Sequence, residues 1–119
     1  MEIPLNDVTK VADIVSVPAG TDTNVAIATF QLPEPAAHYA MQVSVGEAIN
    51  YPSGIGVSLF SSLDGEHYNL PILGVGVEYT GPLSVGASTT NNYPSKYVQV
   101  FATNPDTIAH TVSVWVLPK

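Results

Sequence analysis

The stretch Ser58-Leu59-Phe60-Ser61-Ser62-Leu63-Asp64-Gly65-Glu66-His67-Tyr68-Asn69-Leu70 constrains this chain more than any other. Apolar alternation runs up to an Asp-Gly pair and resumes at Tyr68 and Leu70. Asp64 and Gly65 tolerate the positive φ of a tight turn, and the residues on either side suit a half-buried sheet. The segment therefore reads as a β-hairpin and sets the class as an antiparallel β domain.

The rest of the chain follows the same grammar. Ten Pro and nine Gly punctuate the sequence at short intervals. No stretch between them keeps a 3.6-residue period, while Val, Thr, Ile and Tyr recur in period-2 runs. Strands are predicted over Val8–Val17, Asn24–Gln31, Tyr39–Val45, Ile55–Ser61, Tyr68–Leu73, Val75–Tyr79, Tyr97–Thr103 and Thr107–Leu117. Turns are predicted at Pro18-Ala19-Gly20, Pro33-Glu34-Pro35, Tyr51-Pro52-Ser53-Gly54, Asp64-Gly65, Thr80-Gly81-Pro82 and Asn104-Pro105-Asp106. About seven or eight short strands so spaced make an antiparallel β-sandwich or jelly roll. Gly81–Pro94, rich in Ser, Thr and Asn, reads as a long loop. Residues 1–7 read as an N-terminal arm and 8–119 as one domain.

Alternation assigns the faces. Tyr39, Met41, Val43 and Val45 form one core row, Ile55, Val57 and Leu59 a second, and Ile108, Val112, Val114 and Val116 a third. Val98 and Val100 are expected to face that last row, which leaves Tyr97, Gln99 and Phe101 on a face shared with Trp115. Tyr97, Phe101 and Trp115 are thus candidates for an exposed surface that meets a partner or a sugar ring. The competing reading is that a second layer covers them. Ile3, Pro4 and Leu5 lie outside any strand pattern and are candidates for burial against another chain.

Charge narrows the function. Charged residues make up 11% of the chain, with three Lys, no Arg and a formal charge of −7. Soluble domains usually carry about 25%, so much of this surface is expected to be covered or neutral. Phosphate neutralisation needs clustered Lys and Arg, so nucleic acid is not an expected partner. Anionic membranes are disfavoured for the same reason, and no apolar run is long enough to span a bilayer. Met1-Glu2-Ile3-Pro4 does not read as a secretory signal, and the absence of Cys fits synthesis in a reducing cytoplasm.

No constellation compels catalysis. His38, His67 and His110 show no metal-ligand spacing; there is no nucleophile elbow, and Gly74-Val75-Gly76 lacks the rest of a phosphate loop. Glu66 and His67 should point to opposite faces, and His110 falls on an apolar row, where a hydrogen-bonded core or interface histidine is the ordinary outcome. The chain is read as non-enzymatic, with no catalytic residue, metal or cofactor. A loop calcium site using Asp64 or Asp106 stays open.

Two segments carry a family resemblance. Ser58–Leu70 resembles the Ser-x-Asp-Gly-x-x-aromatic hairpin of discoidin-like and galactose-binding-like β-sandwiches. Lys96-Tyr97-Val98-Gln99-Val100 resembles a later strand of the same domains, with Gln99 at a position where they carry a basic residue. The pairing is similar to that of tailed-phage capsid decoration, or cement, proteins. That resemblance implies a virion protein on the capsid surface, made in the host cytoplasm. It would bridge neighbouring capsomers, bind the major capsid protein and form a homo-oligomer, often a trimer in that class. The alternative is a carbohydrate-binding or adhesion module of a tail fibre or accessory domain.

Overall fold

The computed structural model describes residues 1–47, 49, 54–78, 84–92 and 94–119. Its strands are β1 (Thr9–Val17), β2 (Thr21–Gln31), β3 (His38–Val45), β4 (Ile55–Ser62), β5 (Leu70–Val77), β6 (Ser84–Thr90), β7 (Tyr97–Asn104) and β8 (His110–Pro118). They form two four-stranded sheets in the orders β1-β8-β3-β6 and β2-β7-β4-β5, with every pair antiparallel. Consecutive strands switch sheets at every connection except β4 to β5. This is a jelly-roll sandwich. Its one hairpin of sequence neighbours is the one written in Ser58–Leu70.

The period-2 rows define the core. Tyr39, Met41, Val43 and Val45 are buried, as are Ile55, Val57 and Leu59, and Val112, Val114 and Val116. Val98, Val100 and Ala102 of β7 close the opposite wall. The inner rows of the two sheets meet across the sandwich, as packing of apolar faces requires. Phe30 and Leu32 fill the interior at the end of β2.

Several expectations are corrected. Ile108 lies ahead of β8 and is 41% exposed. Tyr68 and Asn69 belong to the loop, and the segments expected as separate strands around Gly74 are one strand, Leu70–Val77. A glycine on an edge strand, with Gly74 opposite Ser58, does not interrupt pairing. The expected loop Gly81–Pro94 contains β6, which pairs residue for residue with β3 from Ser84 to Thr90. Small polar side chains hid it, because a strand at a sheet edge needs little apolar signal. The expected turns at Tyr51-Pro52-Ser53 and Thr80-Gly81-Pro82, and the strand end at Tyr79, lie outside the described residues.

The largest correction concerns the N-terminus. The Ile3 amide donates to the Gln31 carbonyl at 2.9 Å and the Gln31 amide to the Met1 carbonyl at 2.7 Å, forming a parallel bridge at Glu2. The Asn6 amide then donates to the Pro118 carbonyl of β8 at 2.7 Å. Residues 1–6 thus clasp β2 of one sheet to β8 of the other. Ile3 is 2% exposed and Leu5 packs on the core, while Pro4 is exposed. Ile3 finds its burial inside its own domain, worth roughly 1.5–3 kcal/mol. The reasoning that it needs another chain loses its premise.

Candidate functional site

Each sheet has one face in the core and one facing out, and the outward positions hold what the chain offers to other molecules. Asp and Lys in strands are confined to β1 (Lys10, Asp13) and β2 (Asp22); β3 to β8 contain no Asp, Glu, Lys or Arg. The remaining charges lie in the loops and at the strand ends, so both sheet faces are nearly uncharged at their centres.

The outer face of β2-β7-β4-β5 is built mostly of small residues around two aromatic rings, which gives it low relief. Its rows run Ala26–Phe101–Ser58–Gly74 and Thr29–Gln99–Phe60–Pro71, with Thr103–Gly56–Gly76 beyond. Phe60 and Phe101 are diagonal neighbours, half-buried, with ring centroids 5.4 Å apart and planes at 89°. This edge-to-face pair supports itself without covering the surface. Gln99 Nε2 donates to Thr29 Oγ1 at 3.0 Å. Gly56, Gly74 and Gly76 keep relief low, and none of the residues in these rows is charged.

The outer face of β1-β8-β3-β6 is recessed. Trp115 lies opposite Lys10 on one side and Gln42 on the other, and Gln42 lies opposite Gly86. Lys10 Nζ sits 5.0 Å from the Trp115 ring centroid and 2.6 Å from Asp13 Oδ1. Gln42 Nε2 donates to Ser84 Oγ at 3.2 Å. Val8, Trp115 and Leu117 wall an open cleft of about 490 Å³ whose floor includes Ala40, Gln42 and Gly86. Its size is in the range of small-molecule sites, about 300–1,000 Å³. An aromatic ring, a carboxamide and hydroxyls can engage a neutral polyhydroxylated ligand, but Lys10 already occupies a position over the ring.

The aromatic trio expected on one face is therefore divided. β7 and β8 belong to different sheets, so residues pointing outward from them emerge on opposite sides of the molecule. Tyr97 and Phe101 lie on the flat face and Trp115 in the recessed one. Sequence reasoning missed Phe60, Gln42 and Lys10. The alternation in β4 and β3 placed Phe60 and Gln42 outward, but only the sheet order brings them to Phe101 and Trp115.

Two further polar clusters lie at the ends of the strands. Asp64 Oδ1 accepts from Ser62 Oγ and the amides of Glu66 and His67 at 2.7–2.9 Å, and Oδ2 lies 2.6 Å from His67 Nδ1. The His67 side chain, then its amide, the Ser62 hydroxyl and the Glu66 amide hold the Asp64 carboxyl well below its ordinary value. Asp64, Glu66 and His67 form the one grouping of potential metal ligands among the described residues, and all three are exposed. Glu66 and His67 do not point apart as expected: the ligand atoms of Asp64, Glu66 and His67 lie within 4.8 Å of one another, because a loop, not a strand, carries them. Gly65 supplies the positive φ, 77°, and Ser95 Oγ ties this loop down through the Ser62 carbonyl.

His110 is fully buried, with Nε2 2.6 Å from Asp106 Oδ2. Asn104 Nδ2 donates to the carbonyls of Val17 and Ile108, each at 3.0 Å, and the Asp106 amide donates to Asn104 Oδ1. Glu47 lies 3.6 Å from His110 Nδ1, an electrostatic approach rather than a hydrogen bond. The Thr111 amide, first, lowers the Glu47 pKa; desolvation opposes it, and the Thr111 hydroxyl and His110 lower it further. This network joins the ends of β1, β7 and β8. Its His–Asp pair is sealed from solvent, as the sequence expectation of a hydrogen-bonded core histidine had it.

The fold is an antiparallel jelly-roll sandwich, and in fold it is similar to chains of virus particles and to a carbohydrate-binding module. No protein-family profile matches the chain, and no curated protein matches it. Among solved structures, a chain of the heated full particle of Israeli acute paralysis virus superposes with a TM-score of 0.56 at 10% identity, covering 97% of this chain and 72% of that one. The empty capsid of Triatoma virus gives 0.54 at 12% identity, covering 96% and 88%. A β-1,3-glucan-binding CBM6 from Bacillus halodurans gives 0.51 at 11%, covering 98% and 97%. At these identities the likeness is one of fold.

Proposed function

We propose that this chain is a non-catalytic structural protein of a virion. It would decorate a phage capsid and stabilise it by bridging neighbouring subunits of the major capsid protein. The observation that carries the reading is the outer face of β2-β7-β4-β5, where the half-buried Phe60–Phe101 pair sits among uncharged rows that include Gly56, Gly74 and Gly76. A flat neutral surface loses little on desolvation and can pack against another flat protein surface, whereas charged groups would have to be paired. Weak individual contacts repeated over a lattice add up through avidity. The fold shared with capsid chains is compatible with this role.

The test is co-sedimentation with icosahedral particles purified from the source that encodes the chain. The protein should travel with the particles. Its occupancy should hold from low salt to about 0.5 M, where charge interactions between exposed groups are screened beyond roughly 4–5 Å. Absence from the particles, or loss at moderate salt, would contradict the reading.

The cleft at Trp115 favours a second reading, a carbohydrate-binding or adhesion module. Its test is titration of Trp fluorescence with neutral oligosaccharides, β-1,3-glucans included. Saturable binding that is lost in Trp115→Ala would support it.

A further inference from the structure

The two sheets have four edge strands, β1, β2, β5 and β6, and an unprotected edge is a template for another strand. Three of the four are blunted. β1 carries two register shifts, a positive φ of 51° at the β-branched Ile14, and the Lys10–Asp13 pair. β2 also has two shifts, carries Asp22, and is capped at Gln31 by the N-terminal clasp. β5 has a shift and contains Pro71, Gly74 and Gly76. β6 has no shift, no Pro, no charge and no positive φ, and Gly86 is its single glycine. Ser84–Thr90 pairs with β3 at seven consecutive positions without a shift, contains no Pro and no charged residue, and among the described residues pairs with β3 alone.

We infer that the free edge of β6 pairs antiparallel with β6 of a second copy about a two-fold axis, joining two four-stranded sheets into one of eight. A second copy is the occupant that the strand's own composition favours. The chain carries −7, so two copies repel wherever their acids meet, and a neutral strip is where they can approach. A basic partner would gain nothing from that strip. The strand is also self-complementary. With the axis at Ala87, Gly86 lies opposite Ser88, Val85 opposite Thr89 and Ser84 opposite Thr90, all small or β-branched and neutral. The pairing is made at the sheet edge and not over either outer face.

Analytical ultracentrifugation of the full chain tests this. The expected result is a concentration-dependent species of twice the 12.5 kDa chain mass. Ser88→Lys, at an exposed outward position, should reduce the species to one chain mass with an unchanged circular dichroism spectrum and denaturation midpoint. Ile14→Lys on β1 should leave the dimer intact. A wild-type protein that stays monomeric at its highest soluble concentration, one that forms a trimer, or a Ser88→Lys variant that folds and still dimerises would each overturn the inference.

Discussion

The two outer faces are made from sheets of equal size and the same alternation, yet they offer different surfaces. On β1-β8-β3-β6 a single large ring, Trp115, stands beside Gln42 and small residues, and its bulk next to Ala40 and Gly86 makes a cleft. On β2-β7-β4-β5 two rings, Phe60 and Phe101, lean on each other among glycines and hydroxyls, and the surface is level. A concave face suits a small ligand and a level one suits a protein. The fold therefore decides only which residues point outward. What the module binds depends on the few side chains at those positions.

The comparison presumes that both faces ride on one rigid sandwich, and the N-terminal clasp is the first way to break it. Deleting Met1–Asn6 removes buried Ile3 and the backbone bonds to Gln31 and Pro118. Loss of roughly 3 kcal/mol or more is expected, read by chemical denaturation. An unchanged midpoint would mean that the segment is an arm after all.

Gly65→Val acts on one side of the molecule. A Cβ there would lie 3.4 Å from the Tyr97 ring, and φ is 77°, so a cost of roughly 1–3 kcal/mol is expected. The disturbance should register in the amide signals of Tyr97 and its neighbours on the level face and not in those of Trp115.

Tyr39→Phe should act in the opposite sense. The Tyr39 hydroxyl is buried with no hydrogen-bond partner among the described residues, and burial pushes its pKa up. Removing the oxygen should leave stability unchanged or raise it by about 1 kcal/mol. A clear loss in the melting midpoint would show that the hydroxyl is satisfied.

The smallest effect expected is one of pH. Asp64, with an ordinary value of 3.8, is held lower by His67 and its other donors. A carboxyl depressed in the folded state contributes fully above its unfolded value and loses that contribution as pH falls through the lower folded one. The melting midpoint should fall below about pH 4, and Asp64→Asn should flatten that slope. A parallel decline in both proteins would place the acid sensitivity elsewhere.

Much of this was legible in the sequence, for physical reasons that can be named. Rows such as Val98–Val100 and Val112–Val116 declare their burial because a buried face must be apolar. The connection at Asp64-Gly65 was visible because Gly65 accepts a positive φ, although it runs as a loop from Leu63 to Asn69 instead of closing as a tight turn. Three things were not visible. β6 is built of small polar residues whose strand state comes from pairing with β3. Ile3 packs through a contact made at a distance in sequence. The sheet order is set by connections that cross the sandwich, and it separates Phe101 from Trp115. A core row of β7 facing a core row of β8 already implies that their outer rows face apart, and that geometric step was available from the sequence.

The most direct test of the central claim, that the level face docks to a shell, crosses two variants in the co-sedimentation assay. Phe101→Asp, with Phe60→Ser as a milder companion, should lose particle binding by at least about tenfold, the equivalent of roughly 1.4 kcal/mol. The denaturation midpoint should confirm that the variants remain folded. Trp115→Ala should bind as the wild type does. Full occupancy by folded Phe101→Asp, or its loss in Trp115→Ala alone, would contradict the account and move the docking surface to the opposite side of the sandwich.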